Sequence, residues 1–394
     1  MTALRIPAVY MRGGTSKGVF FDPSALPADP ATRDALLLRV IGSPDPYGQH
    51  IDGMGGATSS TSKVVLVSKS TRPGSDVDYR FGQVAIDRPV IDWSGNCGNL
   101  SAAVGPYAIS EGLVDAPRDG IASVRIWQAN IGKHIIAHVP MRAGAVVETG
   151  DFELDGVTFA AAEIRLEFLD PGGGGGGQGD GALFPTGRAV DALQVPGVGT
   201  VRATLINAGN PTIFVAATEL DCDGTESQRE FNLRGDLLAR CEAIRAHGAV
   251  AMGLAASAAD ATATRPHTPK LAFVARPRDY IAASGRPVAA SAVDLSVRIL
   301  SMGKLHHAMT GTGAVALAAA AAIQRTIVQE ITGDAGLDGR SIRFGHPSGT
   351  LRVGAEAFQR NGDWFVAKVI MSRSARRLME GWVRVPADWP SPGG

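Results

Sequence analysis

The stretch Gly313-Ala-Val-Ala-Leu-Ala-Ala-Ala-Ala-Ala-Ile323 carries no polar side chain on any face. A helix apolar all round has no side to offer water, so it must be buried in the middle of a domain. A second segment of the same kind spans 98–111 in the first half, with Pro106 inside it, which predicts a kink or a shortened first piece. The helix beginning at Gly313 is expected to run to about 325. Around each lie short β-branched runs bounded by Gly, Pro and Asp: 63–68, 84–91, 123–128 and 133–139, then 200–207, 212–217, 271–275 and 341–345. More amphipathic helices are expected at 31–41 and 236–246, on the outer surface.

The two halves match in element order. Lys63-Val-Val-Leu-Val corresponds to Lys270-Leu-Ala-Phe-Val, Asn96-Cys97-Gly98-Asn99 to Gly311-Thr312-Gly313-Ala314, and Ser123-Val-Arg-Ile to Ser341-Ile-Arg-Phe. The offsets (270 − 63 = 207, 312 − 97 = 215, 341 − 123 = 218) rise slowly, as small loop insertions require. The fold class that follows is α/β (α+β). Two pseudo-symmetric domains each wrap a curved, mostly antiparallel sheet or barrel around a central buried helix. Six glycines at 172–177 predict a flexible loop over 170–182. The boundary is set near it, giving 1–188 and 189–394, with the last strand allowed to cross back to the first domain.

The chain has 394 residues, 45% of them apolar and 19% charged, enough for a large core. Thirty-eight basic and 38 acidic residues cancel, which argues against a nucleic-acid binder. Three cysteines cannot make a disulfide framework and suit a reducing cytoplasm. No run of 18 apolar residues and no signal-peptide pattern is visible, so a membrane is not expected as a partner.

Chemistry is expected where glycines and small polar residues replace core residues. Cys97 stands at the start of a buried helix between Asn96, Gly98 and Asn99, where N–H groups favour an anion. A small buried cysteine is the plain alternative. Cys222 and Cys241 lack such surroundings. The matching start, Met309-Thr310-Gly311-Thr312-Gly313, offers similar backbone chemistry with threonine in place of cysteine. The two starts facing each other would bind a ligand with several carboxylates. Lys63 follows a loop of glycine and hydroxyls that includes Ser59, Ser60 and Thr61. It can serve as a base if desolvation or a neighbouring cation lowers its pKa; otherwise its head simply reaches solvent. Arg12-Gly-Gly-Thr15-Ser16-Lys17-Gly18 reads as a hairpin turn or as a carboxylate-binding loop. The histidines have no metal-ligand spacing, so no metal is expected.

Several blocks resemble the PrpF family, the 2-methylaconitate isomerases of propionate breakdown. They are Tyr10-Met-Arg-Gly-Gly-Thr-Ser-Lys-Gly-Val-Phe-Phe21, Ile51-Asp-Gly-Met-Gly-Gly-Ala-Thr-Ser-Ser-Thr-Ser-Lys63, Asp92-Trp-Ser-Gly-Asn-Cys-Gly-Asn99, Leu300-Ser-Met-Gly-Lys-Leu-His-His-Ala-Met309 and Met371-Ser-Arg-Ser-Ala-Arg-Arg-Leu-Met-Glu-Gly-Trp-Val-Arg-Val385. The resemblance implies a fold like diaminopimelate epimerase. Epimerases of that fold use one cysteine per domain. Here the partner of Cys97 is Thr312, which disfavours a two-thiol racemase.

The resemblance further implies Lys63 as the main base and Cys97 as its catalytic companion. The substrate would be a small unsaturated tricarboxylate, most simply 2-methyl-trans-aconitate. Lys270 would bind a carboxylate and, as a second cation, help depress the pKa of Lys63. No cofactor is called for. Two other readings stay open: an oxalomesaconate isomerase of aromatic degradation, and a non-enzymatic partner of an iron–sulfur methylcitrate dehydratase. The fold analogy leaves room for a homodimer.

Overall fold

The computed structural model describes residues 3–172, 181–337 and 341–386. Two compact units emerge. One comprises Met1–Phe152, Phe159–Leu166 and Arg373–Gly394; the other Glu153–Thr158 and Glu167–Ser372. The chain thus crosses between units ahead of residue 188, inside the strand Ile164–Leu169, and the final strand belongs to the first unit. The glycine run marked a loop by composition, whereas the crossing lies in an ordinary apolar run. Of the loop expected at 170–182, residues 173–180 fall outside the described residues.

In the first unit the strands lie in the order Ala375–Val385, Leu4–Gly13, Ser16–Phe21, Lys63–Lys69, Val77–Val84, Gly120–Gln128, Lys133–Arg142. Every neighbouring pair is antiparallel except the third with the fourth and the fifth with the sixth. The second unit runs Gly199–Ala208, Asn210–Ala216, Lys270–Ala275, Leu295–Ser301, Ser341–His346, Gly349–Arg360. Its two parallel pairs fall at the equivalent places. The correspondence reaches single residues. Asp76 Oδ2 accepts the Arg125 N–H at 2.7 Å, and Asp294 Oδ2 accepts the Arg343 N–H at 2.7 Å, one such clamp at the second parallel pair of each unit.

Each unit holds its apolar helix. Ser101–Ser110 is buried from Ser101 to Ala108, and Gly311–Ala321 is buried at every residue. Both are shorter than expected. The first begins three residues late, and the second stops before the polar Gln324-Arg325 pair. Pro106 sits inside the first helix without splitting it. Gly105 explains how that helix seats: a Cβ there would come within 2.8 Å of Val139 and 3.1 Å of Ala137. Here glycine is needed for close approach to the sheet.

The opposite sheet faces are covered by the two outer helices. Pro30–Ile41 starts at Asp29, whose side chain accepts the Thr32 N–H, and ends at Gly42 in the left-handed region. Leu36, Leu37, Val40 and Ile41 pack with Val19, Phe21, Val64 and Leu66. In the second unit Gly235–Ala251 places Leu237, Cys241 and Ile244 against Leu205, Ile213 and Phe273. Covered on both faces, the strand Lys63–Lys69 reads as a continuous apolar run.

One expected strand is corrected. Residues 85–90 turn through Asp87-Arg88-Pro89, and the strand lies earlier, at Val77–Val84. Proline removes the ladder N–H, while Val77, Tyr79 and Phe81 alternate with polar neighbours as a half-buried strand should. Among the described residues no helix is long and apolar enough to cross a membrane.

Candidate active site

Lys63 opens its strand, only 4% exposed, directly opposite Gln83 on the neighbouring strand. Its Nζ donates to Gln83 Oε1 at 2.6 Å and lies 4.8 Å from the centre of the Phe81 ring. Gln83 is fully buried and anchored by donating from Nε2 to the Ser62 carbonyl at 3.1 Å. Cys97 lies close enough to the amine to act on it electrostatically. Amine and thiol, 34 residues apart in sequence (97 − 63), therefore meet in one unit. Burial pushes the Lys63 pKa below its ordinary 10.5, and a negative charge on Cys97 opposes that shift. Burial, rather than the expected second cation, is the cause.

Cys97 sits in the turn that leads into the helix Ser101–Ser110. Its sulfur accepts the Leu100 N–H at 3.5 Å, and its carbonyl accepts from the Ser101 N–H at 3.0 Å and the Tyr79 hydroxyl at 3.2 Å. The Ala102 and Ala103 N–H groups go to the Asn99 and Leu100 carbonyls. The first donors of the helix are thus engaged within the turn. Burial, with Cys97 beside it, raises the Tyr79 pKa far above the ordinary phenol range, so Tyr79 stays a neutral donor.

Around this pair the two glycine/hydroxyl loops interlock. The Lys17 N–H donates to the Ser60 carbonyl at 2.9 Å. Thr15 Oγ accepts from Asn99 Nδ2 at 3.0 Å, and Ser16 is buried beside it in sequence. Ser60 and Thr61 hydroxyls both reach Thr58 Oγ, at 2.9 and 2.8 Å, and Ser59, between Thr58 and Ser60, is half-buried. Asn96 and Gly98 flank Cys97 and are buried. A Cβ on Gly13 would lie 2.7 Å from the Asn99 carbonyl, so the loop presses on the helix start through a bare backbone.

The remaining expected residues lie in the second unit. Lys270 is 2% exposed and donates to the His267 carbonyl at 3.2 Å and Ser301 Oγ at 3.3 Å. Thr312 Oγ accepts from Asn210 Nδ2 at 3.1 Å. Thr310 caps its helix by accepting the Gly313 N–H at 3.1 Å; Met309 and Gly311 are buried. Lys270 thus repeats the position of Lys63 with different partners.

Three residues of the first unit escaped the sequence reading. Gln83 and Tyr79 lie on the strand that was misplaced. Arg373, 1% exposed, donates from Nε to Asn99 Oδ1 at 3.0 Å and acts electrostatically on Cys97. Its only sequence signal is its place in the block 371–385.

The family model described as PrpF protein matches residues 3–386. The chain belongs to the PrpF family. A 2-methyl-aconitate isomerase of Shewanella oneidensis is 62% identical over 390 residues, spanning 97% of each chain. One of Cupriavidus necator is 64% identical over 393 residues, spanning 98% of each. The crystal structure of a methylitaconate-delta-isomerase superposes with a TM-score of 0.75 at 39% identity over the full length of both chains. The expected fold class stands with this PrpF protein: two units, each a curved sheet around a buried helix.

Proposed function

We propose that this PrpF protein isomerises 2-methyl-trans-aconitate to 2-methyl-cis-aconitate by allylic proton transfer, the step that serves the 2-methylcitrate route of propionate breakdown. The observation that carries the reading is the buried Lys63 amine, held by Gln83 at 2.6 Å and under the electrostatic influence of the buried Cys97. The names borne by relatives at 62% and 64% identity support the substrate.

Burial lowers the Lys63 pKa, which favours the neutral amine, the form in which a lysine acts as a base. Lys63 takes a proton from the carbon next to the conjugated acid. The electron pair spreads over the double bond and a carboxylate. Hydroxyls of Ser59, Ser60 and Thr61 and the backbone around Gly98 are assigned to hold that charge, with Thr15, Ser16, Asn96 and Asn99 shaping the pocket. Bond rotation while the double bond is delocalised, then return of a proton, gives the isomer. No electrons change hands overall, so the chemistry calls for neither nicotinamide nor flavin.

The test is incubation with purified 2-methyl-trans-aconitate in heavy water, followed by NMR. Isomerisation with deuterium entering an allylic carbon is expected. Turnover of oxalomesaconate at higher kcat/KM than methylaconitate would move the assignment to that acid. The non-enzymatic reading, a partner of the dehydratase, requires Lys63→Ala to keep full pathway activity; we expect that variant to lose at least about a thousandfold in kcat.

A further inference from the structure

The loop between the helix Pro30–Ile41 and the strand Lys63–Lys69 carries a buried histidine. His50 is 2% exposed, and its φ is +52°. Left-handed backbone is uncommon for a residue with a side chain and persists where the surroundings hold it. The His50 N–H donates to Asp45 Oδ2 at 2.6 Å. The same carboxylate accepts the Gln49 N–H at 2.8 Å and the Tyr47 N–H at 2.9 Å. Asp45 in turn donates its own N–H to the Ile86 carbonyl at 2.8 Å. The backbone that carries the ring is therefore anchored.

One ring atom serves both ends of the hydroxyl segment 58–61. His50 Nδ1 accepts the Ala57 N–H at 3.3 Å, just before the segment, and lies 3.2 Å from Ser62 Oγ, just after it. Accepting a backbone N–H on Nδ1 leaves the ring proton on Nε2, 3.5 Å from the Ile86 carbonyl, and makes the Ser62 hydroxyl a second donor to Nδ1. Between the two anchors the chain turns back on itself: the Thr61 and Ser62 N–H groups donate to the Thr58 carbonyl at 3.1 and 3.0 Å. Ala57 is itself left-handed, with φ +55°. Gly55 packs directly against the ring, since a Cβ there would lie 2.2 Å from Nδ1. Ser62 also touches the control of the base. Its carbonyl accepts the Val84 N–H and Gln83 Nε2, each at 3.1 Å, and Gln83 holds the Lys63 amine.

We propose that His50 is a positioning residue for the isomerisation: Nδ1 ties Ala57 to Ser62 and so sets where the Ser59, Ser60 and Thr61 hydroxyls stand relative to the Lys63 amine. This rests on the isomerase reading, in which those hydroxyls hold the charge that develops on a substrate carboxylate. The imidazole exchanges no proton with the substrate, because both ring nitrogens are turned to the chain. It acts through the segment it holds. Displacing a preorganised donor by about 1 Å can cost about a hundredfold in rate.

The test compares His50→Leu with His50→Gln in the full chain. Both side chains meet the same left-handed backbone without a ring. Glutamine brings an amide oxygen that can accept from the Ala57 N–H and the Ser62 hydroxyl, whereas leucine brings no acceptor. With 2-methyl-trans-aconitate, His50→Leu should lower kcat at least about tenfold with KM within about threefold, and His50→Gln should recover most of the loss. Amide hydrogen exchange needs no substrate and should follow the same order. Residues 56–62 should exchange about tenfold faster or more in His50→Leu, and close to the parental rate in His50→Gln. Parental kcat in His50→Leu overturns the proposal, and so does a raised KM at unchanged kcat. Equal losses in the two variants also overturn it, because the shape of the ring and not its acceptor would then matter. If His50→Leu is not native by circular dichroism, exchange in His50→Gln decides: parental protection of 56–62 supports the role, and exchange about tenfold faster overturns it. If the parent leaves methylaconitate unchanged, the isomerase reading falls, while the exchange comparison still decides whether Nδ1 holds the segment.

Discussion

Replacing Gln83 with leucine isolates the control of Lys63. The side chain is fully buried and of similar length, so little volume changes, but the 2.6 Å acceptor of the lysine ammonium disappears. A hydrogen bond to a charged group contributes about 1.5–3 kcal/mol. That bond favours the protonated amine, so its loss favours the neutral one. At about 1.4 kcal/mol per tenfold, the Lys63 pKa should fall by about one unit or more below its already depressed value. Neutral Lys63 is the acting form, so the acidic limb of the kcat/KM–pH profile should move to lower pH by about one unit. Loss of the Gln83 anchor on the Ser62 carbonyl should also cost about 1–3 kcal/mol of stability, read from the denaturant midpoint. Burial has a matching sign in the parent. Between the folded pKa and 10.5 the unfolded chain keeps a proton the folded chain has lost, so this group makes the fold more stable as pH rises through that window. An acidic limb that stays put or moves upward in the leucine variant would refute the control assigned to Gln83.

Three other substitutions probe the scaffold. Gly13→Ala forces a Cβ to 2.7 Å from the Asn99 carbonyl; the backbone must yield, and kcat/KM should drop at least tenfold while circular dichroism stays native. Gly105→Val pushes the buried helix off Val139 and Ala137 and should destabilise by about 1–3 kcal/mol in urea titration. Thr310→Ala removes the cap on the Gly313 N–H and should cost about 1 kcal/mol, again read in urea.

The architecture was readable because its strongest signal is local. A ten-residue segment without a polar face can only be buried, and two such segments in matching contexts give the repeat. Lys63 and Cys97 were legible because glycine and asparagine around a cysteine, and hydroxyls before a lysine, are out of place in a core. The strand Val77–Val84 was missed because Asp78, Arg80 and Gln83 interrupt its apolar run, although only Asp78 and Arg80 keep contact with water. Gln83 and Arg373 could not be found from local pattern at all. Their meaning lies in what they touch, Lys63 across a ladder and Asn99 from 274 residues away.

The pairing of Leu4–Gly13 with Ala375–Val385 sets a timetable for synthesis. Leu4–Gly13 is made well before its neighbour Ala375–Val385, and Glu167–Ser372 is made between them. The second unit can be complete while the first still shows an open sheet margin, a state prone to stray association. A stop codon in place of Arg373 would remove that closing strand and leave the Leu4–Gly13 margin unpaired on that side.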